Sequence, residues 1–290
     1  IKKGFCKKCG IKIEKYKTDT GQEPKLCKKH YEMGKLQEEI RGERYRDYSK
    51  ELINYKKKYP VKYQQKLKYK RAFFKTIKGK IHDYNNKQKR NAKRKLLISE
   101  KWMECLMNCK CFYCGYFPTC GFNGIDRKNN DICYTYGNSV SCCQMCNMMK
   151  KKINSKDFIR MCIHIADYER TNKRIKKFSN VFKNHSWNSY RYRTYKKNCV
   201  KNNRDFLLNK KEFYKICKQK CYLCGKENSD FHKNGIDRLE NSICYIKNNC
   251  IGCCYDCNMI KKNYKYKDLI KKCYDIKQFQ VNNKLHLKKS

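Results

Sequence analysis

The chain has 290 residues with 72 Lys+Arg against 26 Asp+Glu, a formal net charge of +46. That self-repulsion exceeds what solubility requires and calls for a polyanionic partner, nucleic acid ahead of an anionic membrane surface, because phosphates release counterions when lysine and arginine replace them. The sequence lacks an apolar run of the roughly 18 residues a spanning helix needs, which excludes a transmembrane segment, and it shows no signal-peptide h-region.

The 23 cysteines include several Cys-x-x-Cys pairs. In a reducing setting (an intracellular compartment, an organelle or a virion interior) such pairs bind zinc more often than they form disulfides. The first set is C-x2-C-x17-C-x2-H, made by Cys6, Cys9, Cys27 and His30. It predicts a tetrahedral zinc element over residues 1–34. A basic Tyr/Lys-rich helical region follows at 35–79, where Pro60 is expected to divide two helices. Tyr45, Tyr48, Tyr55, Tyr59, Tyr63 and Tyr69 alternate with lysine and arginine there, a pattern suited to rings that pack or stack while cations reach phosphates.

An internal repeat comes next. Residues 124–150 (GIDRKNNDICYTYGNSVSCCQMCNMMK) match 235–261 (GIDRLENSICYIKNNCIGCCYDCNMIK) at 15 of 27 positions, at a fixed offset of 111. Upstream, CFYCG (111–115) pairs with CYLCG (221–225) after one residue of slack; downstream, FIRMC (158–162) resembles LIKKC (269–273). Each copy therefore spans about 80–90 residues. The modules are placed at 80–170 and 188–278, with a basic linker at 171–187 and a basic tail at 279–290. Cys111, Cys114, Cys143 and Cys146 form C-x2-C-x28-C-x2-C, and Cys221, Cys224, Cys254 and Cys257 form C-x2-C-x29-C-x2-C; two pairs at this spacing clamp one Zn2+. Cys109, Cys142 and Cys253 lie beside these ligands and are alternatives to one of them, whereas Cys133 and Cys244 read as small buried side chains. Locally, Ser99 and Asn209 are candidate N-caps of a helix leading into the knuckle. The GIDR and ICY stretches read as the two strands of a hairpin, the second Cys pair opens a helix, and a further helix around Phe158 or Leu269 closes the copy.

These residues resemble the HNH nuclease family, the ββα-metal fold on a treble-clef-like zinc knuckle, in a GIDR…CCxxCNxMK variant associated with large DNA viruses and phages. The resemblance implies an α+β chain of small zinc-stapled modules, two tandem units beside an N-terminal zinc element and basic helices. It also implies that Asp126 with Asn147, and Asp237 with Asn258, hold a divalent metal, with Asn138 and Asn249 as the central Asn. The family's general-base His falls on Arg127 and Arg238, which stay protonated and cannot accept a proton from water. A D-R-G-H subgroup would place His at Asn129 and Glu240. Glu240 is a conceivable base in one copy, and His232 is read as a surface residue.

The expected function is thus a zinc-stabilised nucleic-acid-binding protein, a structural component of a nucleoprotein assembly, ribosome-like or virion, in contact with RNA or DNA and with other proteins of that assembly. It would hold about three Zn2+, one per Cys/His set. Phosphate contacts are assigned to Arg127, Lys150, Lys151, Arg238, Lys261 and Lys262. The alternative is a metal-dependent endonuclease cleaving DNA, with Mg2+ required only in that case.

Overall fold

The computed structural model describes residues 50–91, 95–175, 180–184 and 191–283. Cys6, Cys9, Cys27 and His30, and with them the N-terminal zinc element, lie outside the described residues, as do the end of the tail and parts of the linker. The chain divides into two units, Ile1–Phe73 and Phe74–Ser290.

In the first unit residues 50–58 are helical (α1), and Pro60 opens α2 (Pro60–Phe73) as expected. Proline suits a first helical position, where its missing N–H has no intrahelical partner to lose. No residue of α2 is buried. Three of the tyrosines here lie beside cations of their own segment: Lys66 is 5.8 Å from the Tyr55 ring, Lys62 5.6 Å from Tyr59, and Lys56 5.1 Å from Tyr63.

The second unit mixes helices with two small antiparallel sheets. Its first copy comprises α3 (Ile77–Arg90), α4 (Glu100–Met107), β1 (Gly124–Arg127), β2 (Ser139–Cys142), α5 (Gln144–Lys150) and α6 (Ser155–Thr171). The second comprises α7 (Tyr192–Lys201), α8 (Lys210–Cys217), β3 (Gly235–Arg238), β4 (Cys250–Cys253), α9 (Tyr255–Lys261) and α10 (Tyr266–Asn282). Both predicted caps form. Ser99 accepts from Trp102 N at 3.2 Å, and Asn209 makes a full capping box with Glu212.

The hairpin differs from expectation. GIDR pairs with the residues just before the second Cys pair, not with ICY: Gly124 faces Cys142 and Arg127 faces Ser139, and Gly235 faces Cys253 and Arg238 faces Cys250. The central asparagine explains why. Asn138 Oδ1 accepts from Asn129 N at 2.9 Å, while its Nδ2 donates to the carbonyls of Asn129, Ile132 and Cys133 at 3.0, 3.2 and 2.9 Å. Asn249 repeats this with Glu240, Ile243 and Cys244. ICY is thereby pulled into a closed loop, and its Tyr134 bridges to Leu96 instead, as Tyr245 does to Phe206. Cys133 and Cys244 end up half-buried in this loop rather than in the core.

Each copy also begins with a helix that the sequence repeat does not reveal. Tyr84 on α3 donates to the Ile125 carbonyl at 2.8 Å and accepts from Ile125 N at 2.9 Å. Tyr195 on α7, 111 residues on, does the same for Ile236 at 3.4 and 3.3 Å. The two backbone groups of β1 and β3 that face away from the hairpin are satisfied in this way.

The two copies share one core. Helix α6 is buried on every side, by Phe158, Ile159, Met161, Cys162, Ile163, Ile165 and others, the pattern of a central helix. It packs along α10, and α5 packs against α9. The exchange is reciprocal. Gly225, in the second knuckle, has φ +68° with Tyr168 of α6 where a Cβ would sit; Gly115, in the first, has φ +70° with Phe279 of α10 in the same place. A virtual Cβ comes within 2.4 Å of the ring in both cases. Gln280 of α10 donates to Phe112 O and Tyr113 O at 2.7 and 3.0 Å, and His164 Nε2 of α6 lies 3.0 Å from Cys224 O. Each knuckle is therefore closed by the other copy's last helix, the arrangement of an isologous dimer inside one chain. Gly115→Ala and Gly225→Ala are each expected to cost more than the ~1–2 kcal/mol of a left-handed alanine, because the ring must move as well. Urea denaturation of the single variants checks this; an unchanged midpoint would show that the rings do not seat there.

Candidate metal centres and the acidic positions

The sulfurs of Cys111, Cys114, Cys143 and Cys146, and those of Cys221, Cys224, Cys254 and Cys257, lie within 4.8 Å of one another in two buried clusters. A tetrahedral zinc with Zn–S bonds near 2.3 Å needs sulfurs about 3.8 Å apart. Cys114 to Cys143 is 3.8 Å, and Cys224 to Cys254 is 3.7 Å. Both clusters can therefore hold zinc, with the eight ligands expected from spacing. The neighbouring cysteines are not part of either set: Cys109 is exposed, while the thiols of Cys142 and Cys253 donate to the carbonyls of Cys143 and Cys254 at 3.4 Å. Cys143 N-caps α5, its Sγ accepting from Cys146 N, and Cys254 occupies the same place before α9. With zinc bound, four thiolates would leave a dianionic centre; beside the first cluster stands Lys272 of α10, whose Nζ reaches Cys114 Sγ at 3.5 Å.

The acidic positions are filled from within. Asp126 is 5% exposed and Lys150 0%; their ion pair measures 3.2 Å. In the second copy Asp237 and Lys261, 5% and 0% exposed, pair at 3.0 Å. Each ammonium also donates to the carbonyl after its aspartate, Arg127 O at 2.8 Å and Arg238 O at 2.9 Å. A tyrosine hydroxyl completes each site: Tyr113 donates to Asp126 at 2.7 Å and Tyr222 to Asp237 at 2.9 Å. These tyrosines sit at different positions of their knuckles, the second residue between the cysteines in one and the first in the other. The same donor thus reaches the same acid from two directions. Burial pushes both aspartates above the usual carboxylate range, against the pull of Lys150 with Tyr113 and of Lys261 with Tyr222.

The sequence assigns Lys150 and Lys261 to phosphate contacts, and their complete burial corrects that assignment. Arg127 and Arg238, 8% and 7% exposed, are corrected too. Arg127 donates to Ile132 O at 3.2 Å and lies 5.1 Å from the Tyr134 ring. Arg238 donates to Asn241 O and Ile243 O at 2.9 and 3.0 Å and lies 4.9 Å from Tyr245. Both arginines staple the hairpin loop. Of the six cations assigned, Lys151 is exposed and Lys262 half-exposed.

The helix asparagines Asn147 and Asn258 face outward, exposed and half-exposed. Asn147 and Asp126 both line a groove of about 1180 Å³ that also carries Lys80, Lys87, Lys151 and Lys152. The candidate bases have other duties. His232 is 1% exposed, not at the surface, and bonds Asn234 Oδ1 at 3.0 Å. Glu240 accepts from Ser242, which lowers its pKa. Among the described helices none is long and apolar enough to cross a membrane.

The chain is 40% identical over 186 residues to an uncharacterized protein of Acanthamoeba polyphaga mimivirus, a match covering 64% of this chain and 34% of the relative. The chain thus spans about a third of the relative's length. No family model and no solved structure matches it.

Proposed function

We propose that this chain is a zinc-stabilised nucleic-acid-binding protein built on two HNH-like, treble-clef modules that hold nucleic acid without cutting it. The observation that carries this reading is the pair of buried ion pairs, Asp126–Lys150 and Asp237–Lys261. The resemblance puts a catalytic divalent ion at each aspartate; an ammonium already neutralises that charge in both copies. A fully buried lysine, bonded to the neighbouring carbonyl as well, supplies the positive charge that the ion would bring, and a protonated arginine stands where the base would be. The net charge of +46 remains for a polyanion. A structural place in a nucleoprotein assembly, a virion or a ribosome-like particle, suits both features, and the mimivirus relative favours the viral setting.

Fluorescence anisotropy with a labelled duplex, read from 50 to 200 mM salt, tests the binding. If six to ten phosphates are contacted, affinity falls by about 10³–10⁵ across that range; a flat titration would remove nucleic acid as the partner. Incubation with plasmid and Mg2+ or Mn2+ is expected to leave supercoiled DNA intact. Cleavage that disappears in Asp126→Ala with Asp237→Ala would establish the nuclease instead.

A further inference from the structure

Two copies arranged as an internal dimer offer equivalent places on their surfaces, and a place filled in one copy can be compared with its counterpart in the other. Beside the second knuckle that place is filled. Residues 180–184, from the stretch that joins the copies, lie there. Lys226, which follows Gly225, is 6% exposed, and its Nζ donates to Phe182 O and to Lys183 O at 2.6 Å each. Asp256 of α9 accepts from Lys183 N at 2.7 Å. Phe182 is buried, its ring set edgewise to His164 of α6 with centroids 5.1 Å apart. Three elements thus hold this short segment, by its backbone and by one aromatic anchor.

The first knuckle presents the same place open. Tyr116 and Phe117 stand where Lys226 and Glu227 do, and Met145 of α5 stands where Asp256 does. The groups that grip a backbone are replaced by apolar ones, yet Tyr116 and Phe117 are 49% and 53% exposed. Gly115 is half-exposed where Gly225 is buried. Folding gains little from two adjacent aromatic rings left in water, and such rings are enriched where another protein docks. The border is polar: Lys272 of α10 lies 5.6 Å from the Tyr116 ring and pairs with Asp275 at 3.4 Å.

We propose that Tyr116, Phe117 and Met145 form a docking site for a short segment of a partner protein, which inserts a bulky apolar side chain as Phe182 is inserted in the second copy. The filled copy identifies the occupant: at the equivalent place the fold accepts polypeptide with an aromatic anchor. Exchange of Lys226 and Asp256 for Tyr116 and Met145 moves the hold from backbone hydrogen bonds to side-chain burial, which suits a partner that arrives and leaves as a separate chain. This site stands apart from the nucleic-acid reading and does not depend on it.

The test uses the full zinc-loaded chain and a fluorescent peptide carrying residues 180–184 (NVFKN) between glycine-serine ends, followed by anisotropy. Saturable binding of one peptide per chain is expected. It should weaken by about tenfold or more when the peptide's phenylalanine is replaced by alanine, and equally when the chain carries Tyr116→Ser with Phe117→Ser. Both side chains are exposed, so this variant should keep the parent's zinc content and Tm; Tyr116→Phe with Phe117→Leu should bind the peptide as the parent does. No binding to the parent up to millimolar peptide, or equal binding to the parent and the serine variant, would overturn the site. Loss of affinity for a single-stranded oligonucleotide in the serine variant would give the rings to bases instead. Self-association of the parent that disappears in that variant would give them to a second copy of the chain. Either result would overturn the partner named here.

Discussion

Stripping zinc from the purified chain is expected to unfold the Phe74–Ser290 unit rather than loosen it. A structural zinc held by four cysteines is worth roughly 10–16 kcal/mol of apparent folding free energy, against a net stability of about 5–15 kcal/mol for a whole domain. Both clusters sit inside the shared core, with Cys111, Cys146, Cys221 and Cys257 at 0% exposure. Each knuckle also carries the other copy's closing helix, through Phe279 and Gln280 on one side and Tyr168 and His164 on the other. Loss of one metal should therefore disturb the seat of the other copy's helix. Cys221→Ser is expected to lower the zinc content by more than one ion per chain and to abolish cooperative melting. Mass spectrometry of bound metal, with circular dichroism before and after a strong chelator, reads both. A chain that keeps its far-ultraviolet spectrum and a sharp melt after losing zinc would refute the metal's structural role.

The second large effect concerns Asp126. Removing one partner of a buried pair leaves an uncompensated charge, at a cost of about 3–5 kcal/mol. Asp126→Ala is expected to cost that much, since Lys150 is fully buried and keeps only the Arg127 carbonyl. Asp237→Ala should behave alike through Lys261. Asp126→Asn with Lys150→Met removes both charges and retains an acceptor for Tyr113, so most of the loss should return. Urea denaturation of the zinc-loaded variants gives the comparison. If Asp126→Ala is as stable as the parent, the ammonium has reached water and is not held at the acidic position.

Much of the second unit was legible in the sequence, because repetition doubles every signal. The two four-cysteine sets, the caps at Ser99 and Asn209, and the helices opened by Cys143 and Cys254 all follow from residue types at fixed spacing. What spacing could not convey was partnership. ICY is a short apolar stretch with the β-prone residues Ile and Tyr, yet Asn138 and Asn249 use their side-chain amides to fold it into a loop, and a long-range choice of strand follows from that local one. Lys150 and Lys261 read as phosphate ligands because lysine is rarely buried; only the fold brings Asp126 and Asp237 across to them. A faint signal did exist, since Asp and Lys keep an identical separation of 24 residues in both copies, and Tyr84 and Tyr195 keep the offset of 111. Reciprocal closure of the knuckles leaves no trace in a linear repeat, which reads equally well as two independent beads.

The most direct measurement is a Mn2+ titration of the zinc-loaded protein followed by electron paramagnetic resonance, which counts free manganese. With Asp126 and Asp237 neutralised by buried lysines, the predicted result is a spectrum that tracks added Mn2+ up to millimolar concentration, with no specific binding. One or two sites per chain of micromolar affinity, lost in Asp126→Ala and Asp237→Ala, would contradict it and return the divalent ion to the acidic positions.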